Sequence, residues 1–310
     1  MARRSLALAT GLAALALVGC GLGPGPSLGG GAELDVTRDF GHRLLVEPAR
    51  VTHVHQSDTV MRFVEATHKV TTRYGGGFVQ SIDGLSGNRS AERDWFFYVN
   101  GLESSVGAAD FGLSAGDRVQ WDFHDWRAAM RVPAIVGAYP EPLVHGFRGR
   151  RLPVRVECEN AGSPACRDAI GRLQHDGVVA TGAALASVAG KQVARVLVAR
   201  WSAIRKLQAA APLEGDPASS GVFARFAGPG AGRIELLSPT GSVARVAPPG
   251  TGLVVARVPE GQGVVWLVTG VDEAGVERAA ASLSRDTLKY AFAVAATPRG
   301  SVRLPVVPGG

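Results

Sequence analysis

Apolar and polar residues alternate in several short segments, and this period of two predicts strands. In the first half the segments lie at residues 36–40, 43–54, 78–82, 94–100 and 118–125. Asp58 precedes apolar residues at helical spacing, which predicts a helix that Asp58 caps and that continues to about residue 70. The order strand, strand, helix, then three strands predicts a β-grasp, a mixed sheet with one helix across one face.

The second half has strand-like and helical segments in alternation. We predict strands over residues 152–157, 193–201, 221–226, 253–258 and 264–269. We predict helices over residues 167–174, after an N-cap at Asp272, and over residues 286–295. The predicted fold class is therefore α+β, with a β-grasp (ubiquitin-like) domain followed by a second, α/β domain.

The first twenty residues predict an export signal. Arg3 and Arg4 precede an apolar run at residues 6–18, which is shorter than the roughly 20 residues of a spanning helix. The run ends in Leu-Val-Gly-Cys at residues 17–20, which resembles a bacterial lipobox. The resemblance implies that Cys20 is lipidated and that the protein is anchored outside the cytoplasm to the cell membrane. An ordinary secretory signal with an incidental cysteine is the alternative.

Composition along the chain predicts the domain boundaries. Glycine and proline dominate the segment after Cys20, and such chain is flexible, while prolines recur again near residue 140. The predicted parts are a signal peptide (1–19), a Gly/Pro tether (20–34), a β-grasp domain (35–127), a proline-containing connector (128–150) and an α/β domain of unknown role (151–310).

Charge and cysteine content narrow the possible partners. The formal net charge is +6, but Lys and Arg form no run like that of a nucleic-acid-binding tail, which argues against nucleic acid. A basic surface near a membrane favours binding to anionic lipid or wall polymer.

The chain has three cysteines. If Cys20 carries lipid, Cys158 and Cys166 remain, and export to an oxidising compartment predicts a disulfide between them. A two-cysteine metal site is the alternative, but it lacks nearby histidines.

The most informative strand is rich in aromatic residues on both faces. One face carries Trp95, Phe97 and Val99, and the other carries Phe96, Tyr98 and Asn100. A helix covers only one face of a β-grasp sheet, and the second face of a one-sided sheet is normally polar. One aromatic row should therefore pack under the helix. The other should meet a ligand, a loop or the second domain.

The strand at residues 118–125 has an apolar row and a polar row, and Trp126 follows it. The apolar row is Val119, Trp121 and Phe123, and the polar row is Gln120, Asp122 and His124. Aromatic walls with a few polar groups are the common form of a small-molecule site. The predicted ligand-binding residues are Trp95, Phe97, Tyr98, Asn100, Trp121 and Trp126. The alternative is that these aromatic residues fill a core or a domain interface.

Four motifs in the first half resemble a known family. They are WFFYVNG at 95–101, GAAD at 107–110, GDRVQW at 116–121 and GFVQSIDG at 77–84. They look like the transcobalamin-like C-terminal domain, a module of cobalamin carriers and of bacterial surface lipoproteins. The resemblance spans residues 35–127 and implies a β-grasp with a ligand held against the sheet. The large helical barrel that completes the cobalamin site in the carriers has no counterpart here.

Other motifs do not indicate catalysis or metal binding. The Gly-x-Ser-x-Gly string at residues 112–116 leads into a strand, whereas a nucleophile elbow leads into a helix. His53 and His55 would share a strand face, but no third ligand accompanies them. We therefore expect neither catalytic nor metal-binding residues, and no cofactor, with cobalamin as a candidate ligand.

The sequence thus predicts a tethered binding protein and not an enzyme. The first hypothesis is that it captures a small nutrient, for example a corrinoid, for a membrane transporter. The alternative is a non-catalytic module that docks a cell-wall component or another surface protein.

Overall fold

The computed structural model describes residues 24–74, 76–185 and 190–307. The predicted signal peptide and Cys20 lie outside these residues, so lipidation stays a prediction. Within the described ranges, no helix is long and apolar enough to cross a membrane.

The first half folds into a mixed sheet with the helix α1 (Val60–Thr67) packed on one face. Its strands are β1 (Ala32–Arg38), β2 (Arg43–Leu44), β3 (Ala49–Val51), β4 (Val70–Arg73), β5 (Phe78–Ile82), β6 (Leu85–Ser86), β7 (Arg93–Val99), β8 (Leu102–Glu103) and β9 (Arg118–Asp125). β1 lies parallel to β9, while β2 and β3 pair with β1, β7 with β9, and β8 with β7 in antiparallel fashion. β4, β5 and β6 form a small antiparallel sheet of their own. This arrangement is the predicted β-grasp.

The alternation of side chains along β7 places its two aromatic rows on opposite faces. Trp95 and Val99 are buried under α1, with Val60 and Val64 of the helix in the same core cluster. Tyr98 is buried on the opposite face, in a cluster dominated by the second half of the chain. The prediction that one row packs under the helix is confirmed, and the other row meets the second domain.

The second half is built on a larger mixed sheet flanked by helices. Its strands are β10 (Val154–Cys158), β11 (Ala180–Ala184), β12 (Ala194–Arg200), β13 (Ala224–Ala227), β14 (Arg233–Leu237), β15 (Val243–Val246), β16 (Gly252–Arg257), β17 (Val265–Gly270), β18 (Ala293–Thr297) and β19 (Gly300–Leu304). Its helices are α2 (Pro164–His175), α3 (Trp201–Ile204), α4 (Pro217–Ser220), α5 (Glu273–Ala281) and α6 (Arg285–Leu288). The large sheet has the order β11-β10-β12-β17-β16-β18-β19, and β13, β14 and β15 form a separate antiparallel sheet. The predicted α+β class is confirmed.

The large sheet is mainly apolar on both faces because both are covered, and its buried charges Glu157 and Arg195 are paired with each other. α2 and α5 cover one face, where Leu173 and Val276 join Val196 and Trp266 in one core cluster. The other face contributes Leu197, Val255 and Leu267 to a second cluster, which also contains Phe40 and Tyr98 of the first half. The two halves therefore share a continuous core.

The segment predicted as an extended connector is folded into this junction. Ile135 and Tyr139 are each 1% exposed, and Leu143 is fully buried. The Tyr139–Pro140 and Glu141–Pro142 peptide bonds are cis. The end of the predicted tether is also part of the fold. β1 begins at Ala32, and the backbone N–H of Leu28 donates to the carbonyl of Val54.

The predicted cap and end of α1 are wrong. Thr59 caps the helix, since its hydroxyl oxygen accepts from the backbone N–H of Arg62 at 3.2 Å. Asp58 instead accepts from the backbone N–H of His55 at 2.8 Å. The helix ends at Thr67 because the β-branched residues that follow form β4, which pairs with β5.

Two other predicted elements are each divided into two shorter elements in the structure. The segment 43–54 splits into β2 and β3 around Pro48, which has no N–H for a ladder. His53 and His55 lie beyond β3 and so do not share a strand face. The predicted helix over 286–295 ends at Leu288 as α6, and its second part forms β18. Tyr290 between them has a positive φ of 65°, which no helix accommodates.

The predicted disulfide between Cys158 and Cys166 is confirmed. It joins the end of β10 to the first turn of α2, with both cysteines buried. Structural disulfides persist in oxidising compartments, so this bond indicates an extracytoplasmic protein.

Candidate functional site

Three of the predicted ligand-binding residues lie together on the helix-covered side of the first sheet. The ring centroids of Phe97 and Trp121 are 5.0 Å apart, and Trp95 packs against Phe123 at 5.3 Å. The indole N–H of Trp95 donates to the carbonyl of Leu85 at 2.8 Å, which fixes the ring. Of these side chains, Trp95 lines an open cavity at the sheet.

We call this cavity the aromatic groove. It measures about 390 Å³ and lies between the β4–β5 hairpin, β7 and the loop after β9. Its apolar lining consists of Tyr74, Phe78, Trp95, Phe96, Trp126 and Met130. Tyr74 is 82% exposed and Met130 59% exposed, so the groove presents large apolar side chains to solvent on two sides. Such exposed patches mark contact sites on soluble proteins.

A smaller inner pocket of about 210 Å³ adjoins the groove. It shares Phe78, Trp95 and Phe96 with the groove and is also lined by Phe97 and Trp121. The buried indole N–H of Trp121 has no acceptor among the described residues. A buried donor without an acceptor is costly, so an acceptor supplied by a ligand or by water would stabilise it.

Polar groups at the groove add a net positive charge. Arg73, Gln80, Arg89 and Asp94 lie along its lining, and neither arginine makes an ion pair within the described residues. Burial raises the pKa of Asp94, while the backbone N–H of Trp95 and the charge of Arg73 oppose the shift. The groove can therefore hold a ligand with an apolar body and a polar or anionic edge.

Tyr98 does not line the groove, contrary to its predicted role. Its ring lies in the shared core with its centroid 5.4 Å from that of Phe292. Its hydroxyl is buried without a hydrogen-bond partner in the described chain, and burial raises its pKa well above the ordinary value. The residue packs between the domains because the second half covers the face opposite α1.

Asn100 also lies away from the groove, at the turn between β7 and β8. Its backbone φ is +53°, which asparagine tolerates better than most residues. Its side-chain N–H groups donate to the Asp117 carboxylate at 2.8 Å and to the Gly146 carbonyl at 2.7 Å. Its side-chain oxygen accepts from the Arg118 N–H at 2.8 Å. These bonds give Asn100 a structural role.

The polar row of β9 is buried at the domain junction. Asp122 accepts from the backbone N–H groups of Phe40 and Gly41 at 3.0 and 2.8 Å, and its carboxylate lies 2.8 Å from His124 Nδ1. The His124 ring stacks against Phe40 and Phe96, with centroids 4.4 Å away in each case. Gln120 of the same row donates to the Tyr290 carbonyl at 3.1 Å, and the His124 ring lies 5.3 Å from that of Phe292, so the row joins the two halves, which sequence reasoning did not foresee.

The groove also contains residues that sequence reasoning missed. Tyr74 and Phe78 come from the two sides of a hairpin, and their ring centroids are 6.3 Å apart. Met130 comes from the predicted connector. The Gly-rich run after Tyr74 was a usable signal, because it predicts a tight turn that brings Tyr74 next to Phe78. Of the predicted residues, Trp95, Phe97, Trp121 and Trp126 lie in the groove or the inner pocket.

Comparisons with known proteins bear on this part of the chain. Residues 57–125 match the model of a domain of unknown function, DUF4430. Among curated proteins, no sequence matches this chain. The matched region runs from the residues before α1 to the end of β9, so it contains the inner pocket and every described groove residue except Trp126 and Met130.

Two solved structures are similar over about a third of the chain. A candidate metal-binding protein from Ruminococcus gnavus is 13% identical, with a TM-score of 0.24, over 31% of this chain and 97% of that one. Haptocorrin in complex with Cbi is 14% identical, with a TM-score of 0.25, over 31% of this chain and 25% of that one. Among the described residues, no group of three or more His, Cys, Asp or Glu side chains is placed to hold a metal ion.

Proposed function

We propose that the protein is a membrane-tethered, extracytoplasmic binding protein that captures a small amphipathic ligand in the aromatic groove. The observation that carries the proposal is the groove itself. Aromatic side chains from three separate segments line it, and Tyr74 and Phe78 among them are exposed to solvent. Cavities that bind small molecules share this form.

The groove favours a flat ligand with hydrogen-bonding edges. Trp95, Phe96 and Trp126 offer ring surface, Arg73 and Arg89 offer cationic donors, and rings and cations of this kind hold flat, polar-edged molecules. Trp121 lines the inner pocket, and its buried indole N–H has no acceptor among the described residues. A corrinoid has a flat ring with polar substituents, so it is a candidate that also follows from the transcobalamin-like motifs.

The predicted lipid anchor and tether fit a role in delivery to the membrane. Lipidation of Cys20 would hold the groove near the membrane, where a bound nutrient could pass to a transporter. The disulfide agrees with this location outside the cytoplasm.

A second candidate function is docking of a wall component or another surface protein. The 82% exposure of Tyr74 at a hairpin tip favours this docking function. A ring that extends into solvent can contact a partner larger than one small molecule.

The proposal is tested by titrating the protein with cobalamin, using visible spectra and calorimetry. We expect binding, and we expect Trp126→Ala to weaken it at least about tenfold, since buried aromatic anchors contribute most at binding sites. Leu44→Ala is the control, because Leu44 is an accessible apolar residue of β2 at 37% exposure, outside the groove.

The outcomes separate the two candidates. No binding of cobalamin at tens of micromolar contradicts the corrinoid ligand. Retention of purified wall material that Tyr74→Ala abolishes, without any small-molecule binding, supports the docking module in its place.

A further inference from the structure

A larger cavity, which we call the junction cavity, lies where the two halves of the chain meet. It measures about 480 Å³, within the range of about 300–1,000 Å³ that small-molecule sites occupy. Leu102 of β8 lines it from the first sheet, Phe147 lines it from the folded connector, and Leu152 lines it from the segment just before β10. Ala194 and Val264 line it from the large sheet, at the start of β12 and just before β17.

The walls of the junction cavity are mainly apolar. Ala194 and Val264 are buried, and Leu102, Phe147 and Leu152 are partly exposed towards the open space. Val258 also lines the cavity and is 40% exposed, which places it near solvent. A ligand with an apolar body would remove this surface from water, and the burial of apolar surface is favourable.

The charged residues that line the cavity have a net positive charge. Glu103 is paired with Arg131 at 3.3 Å, so these two charges offset each other. Burial raises the pKa of Glu103, and Arg131 opposes that rise. Arg150 and Lys191 also line the cavity and are exposed. Within the described residues neither of them forms an ion pair, although Arg150 donates to the side-chain oxygen of Gln192.

We propose that the junction cavity binds a small anionic amphiphile, with its apolar body between Leu102, Leu152 and Val264. The acidic headgroup then lies against Arg150 and Lys191. The site differs from the aromatic groove in its lining, although Glu103 borders both the junction cavity and the inner pocket. An acidic headgroup on an apolar chain describes both a free fatty acid and an anionic membrane lipid.

The test uses the purified full-length protein and two soluble probes with the same chain, dodecanoate and dodecyltrimethylammonium, below their micelle concentrations. Calorimetry should show binding of dodecanoate and little binding of the cation. The double variant R150E/K191E should weaken dodecanoate binding at least about tenfold, because a charge-assisted contact is replaced by repulsion. The matched control K206E/R245E makes the same change in net charge at two exposed residues that line neither the junction cavity nor the aromatic groove, and it should bind dodecanoate as the unchanged protein does.

A second variant tests the cavity without altering charge. Val258→Trp places a large side chain near its mouth at a solvent-exposed position, so we expect an intact fold by circular dichroism and at least about tenfold weaker binding by steric block. The proposal is overturned if both probes bind equally, if Val258→Trp and R150E/K191E both keep full affinity, or if the control variant alone loses binding.

Vesicles identify the source of the ligand. Cosedimentation with phosphatidylglycerol vesicles, but not with phosphatidylcholine vesicles, that is lost in both R150E/K191E and Val258→Trp supports a membrane lipid as occupant. Loss in R150E/K191E with full retention in Val258→Trp means attraction to the membrane surface alone and overturns the cavity proposal. Binding of dodecanoate without vesicle binding supports a free fatty acid.

Discussion

At the scale of single residues, Asp117 shows how burial changes a side chain's chemistry. It is 2% exposed, and its carboxylate accepts from the Ser114 N–H and from the Asn100 side chain, each at 2.8 Å. Burial raises the pKa of Asp117 to about 6, and the charge of Glu141 adds to that rise. The two hydrogen bonds and the nearby His145 oppose it.

We expect Asp117 to make the protein less stable as pH rises through its native pKa. The native state keeps a proton on Asp117 that the unfolded chain, with an aspartate pKa near 3.9, has released. The contribution of Asp117 to the free energy of unfolding is at its maximum below about pH 4 and is lost as the pH rises through about 6. The change is at most about 3 kcal/mol. Urea unfolding between about pH 4 and pH 7 measures it.

The matched variants are Asp117→Asn, which should flatten this decline, and Asp110→Asn, an exposed neighbour that should leave it intact. Burial also raises the pKa values of Asp35, Asp94 and Glu103, so Asp117→Asn reduces the slope without removing it. An unchanged slope in Asp117→Asn would refute the assignment.

At the scale of elements, α1 is short and depends on its contacts with the sheet. Val60, Met61, Phe63 and Val64 are its buried residues, and they lie in the core cluster of the first sheet. An isolated helix of this length is not stable in water, so the cap and the packing together decide where it begins and ends. Asp58 and Thr59 are both good capping residues, and sequence alone did not distinguish between them.

Replacing the capping residue should therefore destabilise the protein measurably. We expect Thr59→Ala to lower the free energy of unfolding by about 1 kcal/mol, because the N–H of Arg62 loses its acceptor. Thr59→Ser keeps the hydroxyl and should stay within a few tenths of the unchanged value. Equal losses in both variants, measured by urea unfolding, would show that the methyl group matters and the cap does not.

At the scale of the whole molecule, the two halves are joined by one core. Phe292 of the second half packs against Phe40 and Tyr98 of the first, with centroids 5.2 and 5.4 Å away. Gln120 of β9 donates to the Tyr290 carbonyl at 3.1 Å. Contacts of this kind couple the stability of the halves.

We expect Phe292→Ala to lower the free energy of unfolding by about 3–5 kcal/mol, since it removes a large side chain that is 3% exposed. Calorimetry should show one transition that moves as a whole. Phe78→Ala is the control, because Phe78 is 38% exposed and its loss should cost less. Two separate transitions, of which Phe292→Ala shifts only one, would contradict a shared core.

The sequence by itself determined the α+β class, the main strands, the two faces of β7 and the disulfide. The class, the strands and the two faces follow from alternation between near neighbours, which the chain carries locally, and the disulfide follows from predicted export and the two cysteines left after Cys20. Only the tertiary structure decided that the second domain buries Tyr98 and the polar row of β9, and that Met130 joins Trp95 and Trp126 in one groove. The physical reason is that burial and convergence depend on partners far along the chain, and a local pattern shows which face is apolar but not what covers it.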